Sequence, residues 1–361
     1  MPPAPPANPP APPAGIRRAL VIKLGHIGDV LVSTPVLTGL KEAYPDLSLT
    51  ALVNQGTEAM LTGNPLLSDI LVLRRDQKGL AALFGQLGLL ARLRRGRFDL
   101  AIDLSGGDRG AFLAWASGAR LRVGFAPRKP HLRARAFHLL ADPRGTQNHV
   151  VETLLRPLAL LGISPRDRRL KLHPTAADQA RAMAILTGHG VSPGGYALVH
   201  PTSRWMFKTW TPEGNADVIR WLLARGLKVV LTSSPEAKEL AFVQKVLDLL
   251  GPQPGLINLA GRVDLGLLAG LIQGARVFFG VDSAPMHMAA ALGAPCAVLF
   301  GPSGDRMWGP WQVASEVITR PEDCRPCGRD GCEGSKISRC LVEIAPEAVI
   351  AALTRLLERT P

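Results

Sequence analysis

One short passage near the start restricts this chain more than any other. Residues 19–24, ALVIKL, are an apolar run of strand length. GHIGD follows, then VLVSTPVLTGLKEAY, whose apolar residues recur at helical spacing. This is a strand, a glycine-containing turn and a helix. A nearly continuous apolar strand is buried on both faces, which in a folded chain means a parallel sheet covered by helices. The pattern repeats. LSLTALV (47–53) and FDLAIDL (98–104) read as further strands, the second running into SGGDRG, and residues 150–163 and 174–188 read as helices. A new series opens after a Pro/Gly segment at 192–195. Its strands are YALVHP (196–201), LKVVLTSS (227–234), LINLA (256–260), ARVFFGV (275–281) and PCAVLFG (295–301), with helices beginning near 212, 235, 264 and 284. The repeated β-α-β order predicts an α/β protein of two doubly wound, Rossmann-like domains. Their expected bounds are 16–190 and 191–361, with the domains facing across a cleft at the carboxyl ends of the sheets, where such folds bind ligands.

Composition agrees. The 361 residues suit about two domains. With 47% hydrophobic and 20% charged residues, wholesale disorder is excluded. Residues 1–15, MPPAPPANPPAPPAG, hold eight prolines and read as a disordered Pro/Ala tail, with no apolar stretch resembling a signal peptide. No apolar run is long enough to cross a membrane, so the expected location is the cytosol.

The charge is uneven. Residues 1–200 carry 25 Lys/Arg against 13 Asp/Glu, and residues 201–361 carry 17 against 16. The basic half points to an acidic partner, whether nucleic acid, an anionic membrane or a phosphorylated substrate; an Arg-rich solvated surface is the plainer alternative. No helix-turn-helix, RRM-type or zinc-finger module is recognisable and aromatics are only 5%, which weighs against nucleic acid. The stretch 83–98 reads as an amphipathic helix crowded with arginine at its end, suited to a membrane surface or simply to solvent. The stretch 122–138 is rich in Pro and Arg and reads as a loop.

Three loops carry chemistry. In GHIGD, Asp29 lies near a helix N-terminus, where an anion is favoured; it reads either as a cap or as a reactive carboxylate. The spacing is neither G-x-G-x-x-G nor a Walker A loop. In HPTSRWMFKTW (200–210), Thr202, Ser203, Arg204 and Lys208 gather hydroxyls and cations in one loop after a strand, as a diphosphate requires; a basic surface turn is the alternative. In GVDSAPMHMAAA (280–291), small residues and Pro285 open a helix. Asp282 would repel phosphate but could accept sugar hydroxyls, and capping is again the alternative.

Cys324, Cys327, Cys332 and Cys340 form C-x2-C-x4-C-x7-C. A tetrahedral zinc, reduced thiols and a redox or disulfide role all remain open for them. Cys296 stands in an apolar run and reads as core.

Taken together, the order and spacing of these loops resemble glycosyltransferase family 9, the heptosyltransferases that build the inner core of lipopolysaccharide in the Gram-negative cell envelope. KLGHIGDVLVSTPVLTGLKEAYPD, HPTSRWMFKTWTPE and GVDSAPMHMAAALGAPCAVLFGPS carry the resemblance, which spans about residues 16–355. Ala284 stands where the family usually has glycine. HPTSRWMFKTW and CRPCGRDGCEGSKISRCL are most similar to the heptosyltransferase III branch; types I and II, or another sugar donor, are the alternatives. The resemblance implies the GT-B architecture, with the N-terminal domain binding acceptor and the C-terminal domain binding nucleotide sugar. It implies inverting transfer of heptose from ADP-heptose, with no required metal or other cofactor. Asp29 would be the general base and Lys208 would stabilise the leaving ADP. Thr202, Ser203, Glu236, Asp282, Ser283, Ala284, Pro285 and His287 would bind the donor. Arg120, Arg122, Arg128, Lys129, Arg133 and Arg135 would meet the anionic lipid A–core acceptor. The implied enzyme is a monomer, peripheral on the cytoplasmic face of the inner membrane.

Overall fold

Strand β1, Arg18–Lys23, is the apolar run of the first motif, and residues 19–22 of it are buried. The computed structural model describes residues 11–74, 79–127, 129, 131–144 and 148–360. Two units divide the chain, Met1–Lys171 and Leu172–Pro361.

In the first unit the strands are β1, β2 (Ser48–Asn54), β3 (Asp69–Leu73), β4 (Leu100–Asp103), β5 (Leu121–Phe125) and β6 (Leu139–Ala141). The helices are α1 (Ile27–Leu31), α2 (Thr34–Ala43), α3 (Gly79–Arg95), α4 (Asp108–Ala116) and α5 (Val150–Ala159). All six strands are parallel, in the order β3-β2-β1-β4-β5-β6. Leu89 and Leu93 of α3 and Leu113 and Ala114 of α4 join Leu20, Ile22, Leu52 and Leu71 in one core cluster, so these two helices cover the same face. Helices α2 and α5 pack together, closely enough that a Cβ on Gly39 would lie 2.8 Å from Leu158 Cδ1.

The second unit holds α6 (Ala176–Gly188), β7 (Tyr196–His200), α7 (Pro212–Ala224), β8 (Lys228–Leu231), α8 (Ala237–Leu250) and β9 (Leu256–Asn258). Then come α9 (Leu265–Gln273), β10 (Val277–Val281), α10 (Ala284–Leu292), β11 (Cys296–Leu299), α11 (Asp305–Trp308), β12 (Ser315–Ile318), α12 (Arg339–Val342) and α13 (Pro346–Arg359). Its parallel sheet runs β12-β11-β10-β7-β8-β9. Counted from the first strand of each unit, the two orders are the same, the doubly wound order with its switch point between the first and fourth strands.

Several expectations change. The division falls after Lys171, not near 190, because α6 packs on α9. A Cβ on Gly266 would lie 2.4 Å from Asp178 Oδ1, and one on Gly270 3.0 Å from Ala182 Cβ. The segment 122–138 is not all loop. It supplies most of β5 and a 3-10 turn, Leu132–Ala136. Arg122 is tolerated in a strand because its guanidinium turns back onto the carbonyls of Ala119 and Ala136, at 2.7 and 2.6 Å. The tail is anchored earlier than Ile16, since Tyr44 Oη donates to the Pro13 carbonyl at 2.9 Å. Residues 1–10 lie outside the described residues.

Candidate active site

The first switch point opens between the carboxyl ends of β1 and β4. There the chain turns through Gly25 into α1, and Asp29 sits in that helix's first turn. Its Oδ2 accepts the His26 N–H at 2.9 Å. Gly25 is needed here, because a Cβ would lie 2.5 Å from Asp29 Cβ. Lys23 Nζ stands 3.8 Å from Asp29 Oδ1 and donates to the Leu104 carbonyl at 3.1 Å. Burial lowers the Lys23 pKa, against the pull of Asp29 and Asp103. Asp103, at the end of β4, is buried, and burial pushes it up to about 6 against the Ser105 hydrogen bonds and Lys23. Ser105 donates its N–H to Asp103 at 2.9 Å and accepts the Leu24 N–H on its hydroxyl at 2.7 Å. Asn54 Nδ2 donates to the Gly25 carbonyl at 3.0 Å, fixing the same turn. Asp29 caps the helix, and its carboxylate is partly exposed at the carboxyl end of the sheet. Lys23, Asn54, Asp103 and Ser105 were not singled out from the sequence. A lysine and an aspartate at adjacent strand ends was the available signal.

At the second switch point β7 and β10 end on His200 and Val281. Lys208 lies on a 3-10 turn, Met206–Lys208, and its Nζ donates to Asp282 Oδ2 at 2.7 Å. The Phe207 carbonyl in that turn accepts from Ser338 Oγ at 2.7 Å, which ties the turn to the Cys-rich segment. Ser283 is the extended N-cap of α10, but its hydroxyl caps nothing in the helix and donates back to the Val281 carbonyl at 3.3 Å. Ala284 and Pro285 form the first turn of α10, and the helix dipole there favours an anion beside the Lys208 ammonium. His287 is buried one turn further on, with Trp308 edge-on at 6.4 Å between ring centroids.

Thr202 and Ser203 are buried behind Lys208. Thr202 Oγ1 donates to Glu239 Oε2 at 2.6 Å, and Ser234 Oγ donates to Glu239 Oε1 at 2.5 Å. Glu239 is thus, with Asp282, a buried carboxylate of this end of the sheet. Glu236, the residue singled out from the sequence, is the exposed N-cap of α8. His200 lies against Thr232 Oγ1 at 3.0 Å, and burial pushes its imidazole down to about 4 although Glu239 pulls the other way.

The basic candidates do not form one cluster. Arg120 precedes β5 at the amino edge of the sheet and pairs with Asp99 at 2.7 Å, at the end opposite Asp29. Arg122 is bound to backbone carbonyls as described. Arg133 lies 3.5 Å from Asp108, at the start of α4, and Lys129 and Arg135 are exposed. Arg128 lies outside the described residues. All five cysteines are free thiols. Among the described residues no three His, Cys, Asp or Glu side chains group to hold a metal ion. Cys340 is buried in α12 and Cys324 is exposed; burial raises the Cys340 thiol's pKa, and Cys332, Cys327 and Cys324 lie near enough to add to the rise, against the pull of Arg325. No described helix is long and apolar enough to cross a membrane.

Comparison with known proteins places these features in context. The model of the family described as glycosyltransferase family 9 (heptosyltransferase) matches residues 87–338. Lipopolysaccharide heptosyltransferase 3 of Escherichia coli is 33% identical over 288 residues, 79% of this chain and 83% of that protein. A family 9 glycosyl transferase structure from Veillonella parvula superposes with a TM-score of 0.82 at 23% identity, covering 95% of this chain and 97% of the other. The E. coli ADP-heptose lipopolysaccharide heptosyltransferase II gives 0.74 at 22% identity, covering 95% and 99%. At these identities the structural likeness speaks for the fold, the two Rossmann-like domains of the GT-B class.

Proposed function

The chain belongs to glycosyltransferase family 9, the heptosyltransferase family, and on that premise we propose that this glycosyltransferase moves heptose from ADP-heptose to the inner core of lipopolysaccharide. The observation that carries the reading is placement: GHIGD, the Lys208 turn and the start of α10 all lie at carboxyl strand ends, at the switch point of their own sheet. The branch heptose is the product we favour, because heptosyltransferase 3 is the relative at 33% identity.

In this reading Asp29 takes the proton of the attacking acceptor hydroxyl. The oxygen bonds to the anomeric carbon of the donor heptose from the face opposite the phosphate. The carbon–oxygen bond to phosphate breaks, ADP departs and the centre inverts. Lys208 leaves Asp282 for the diphosphate, and the N–H groups that open α10 share its charge, an electrostatic role in the transition state. Asp282 is then free to accept heptose hydroxyls. Thr202 and Ser203 line the diphosphate end, and Glu239 holds Thr202 in place. His287 serves the donor from within α10. The first unit binds acceptor and the second binds donor. No metal or other cofactor has a step in this scheme, and we place the enzyme, as a monomer, on the cytoplasmic face of the inner membrane, where its acceptor is anchored.

The test is transfer from ADP-heptose to core oligosaccharides of defined length, read by mass spectrometry. Gain of one heptose on an acceptor that already carries two is the expected result. Transfer only to shorter acceptors would instead assign the type I or II reaction. Asp29→Asn keeps the acceptor atom for the His26 N–H, so the fold should persist while kcat falls about 10²–10⁴-fold. Unchanged turnover in that variant would remove Asp29 as the base.

A further inference from the structure

Helices α3 and α4 are apolar on the side that faces the core and, unusually, also on part of the side that faces water. On α4, Phe112 and Trp115 are 50% and 53% exposed, with their rings 6.1 Å apart. On the 3-10 turn that packs along α4, Leu132 is 72% exposed. On α3, Leu83, Phe84 and Leu87 are 51%, 67% and 52% exposed. Core packing does not account for these side chains, since Leu113 and Ala114 already supply the buried side of α4, and Leu89 and Leu93 that of α3. Exposed aromatic groups of this size mark a surface that is covered in use.

The charges between them identify the cover. Arg94 and Arg95 on α3 and Arg109 on α4 are exposed on the same two helices, and among the described residues none of them is paired with a carboxylate. Arg92, by contrast, is held by Asp69 at 3.0 Å. Separate apolar tips interspersed with unpaired guanidinium groups match a partner that is apolar beneath and anionic on top. A lipid bilayer has that profile, with tryptophan at home in its headgroup layer.

We propose that this face of the first unit docks on an anionic bilayer, with Phe112, Trp115 and Leu132 entering the interface and Arg94, Arg95 and Arg109 meeting the headgroups. The docking deepens the reading above by naming the surface that brings the enzyme to a lipid-anchored acceptor. Its test contains no sugar, so failure of heptose transfer and failure of docking are separate results.

The full chain would be sedimented with phosphatidylethanolamine–phosphatidylglycerol vesicles and with phosphatidylcholine vesicles. Binding to the anionic vesicles alone is expected. The triple variant Phe112→Ser, Trp115→Ser, Leu132→Ser should lower partitioning about tenfold or more. Each of Arg94→Gln, Arg95→Gln and Arg109→Gln should lower it about fivefold. All six positions are exposed, so melting temperatures followed by circular dichroism should stay near wild type. As a second measurement, brominated lipid should quench wild-type tryptophan fluorescence, and W115F should remove most of that quenching. Wild-type protein left in the supernatant with anionic vesicles would overturn the proposal, as would a triple variant that pellets like wild type. A lipid-independent dimer abolished by the triple variant, without vesicle binding, would assign the face to a second copy and would also overturn it.

Discussion

Glu236 and Glu239 lie three residues apart in SSPEAKEL, and the fold gives them different tasks. Glu236 begins α8 in solvent, while Glu239, one turn into the helix, is buried and accepts the hydroxyls of Thr202 and Ser234. Removing that carboxylate leaves two hydroxyls without their acceptor and His200 without its nearby anion. Glu239→Ala should cost about 1–3 kcal/mol of stability and raise KM for the nucleotide sugar. Glu236→Ala should leave melting temperature and KM close to wild type. Thermal unfolding and initial-rate kinetics on the two variants check both outcomes. Equal losses from both would refute the distinction. The motif made a glutamate in this turn legible, but not which one, because the choice depends on where α8 begins. That boundary is set by the Pro235 turn and by hydrogen bonds from residues 37 and five positions away, which the local pattern does not encode.

At the scale of elements, the Lys208 turn is short and depends on a neighbour. The Phe207 carbonyl is held by Ser338, just before α12, and Trp210 Nε1 donates to the Ile344 carbonyl at 3.1 Å just after it. The Cys-rich segment therefore braces the Lys208 turn from outside. Ser338→Ala should raise KM for ADP-heptose a few-fold with little change in kcat, since Lys208 itself is intact; a kcat loss with unchanged KM would refute the bracing role. Strongly apolar elements such as β1, β7 and β10 were legible because burial on both faces leaves a continuous apolar run. The edge strands β3 and β12 were not, because each opens on polar residues that break the apolar run. The stretch 122–138 misled because arginine content argued for a loop, whereas Arg122 neutralises its own cost by binding backbone carbonyls. The division of the chain was placed too late because α6 follows the first unit in sequence but packs on α9, a contact 83 residues away for Arg181 and Asp264. Lys23 and Asp103 escaped notice because they are 80 residues apart and meet only through the pairing of β1 with β4.

For the whole molecule, acid acts through His200 and Asp103 in opposite directions, one in each unit. His200 titrates near 4 when folded and near 6.5 when unfolded, so between those values the unfolded chain binds a proton that the second unit refuses. Through His200, stability of that unit should fall as pH drops from 6.5 to 4. Asp103 titrates near 6 when folded against 3.8 unfolded, so the first unit holds a proton over that window and gains as pH falls. His200→Gln should flatten the acid decline in melting temperature and Asp103→Asn should steepen it; calorimetry between pH 7 and 4 checks the pair, and parallel curves for both variants would refute it. The same division has a consequence for how such an enzyme changes over generations. Each sheet is completed by a continuous stretch of sequence, and the backbone passes from one to the other once, at Lys171–Leu172. If the first unit holds the acceptor and the second the donor, as proposed, a single recombination at that junction inherits one binding specificity from each parent, so new acceptors can be tried without relearning the donor.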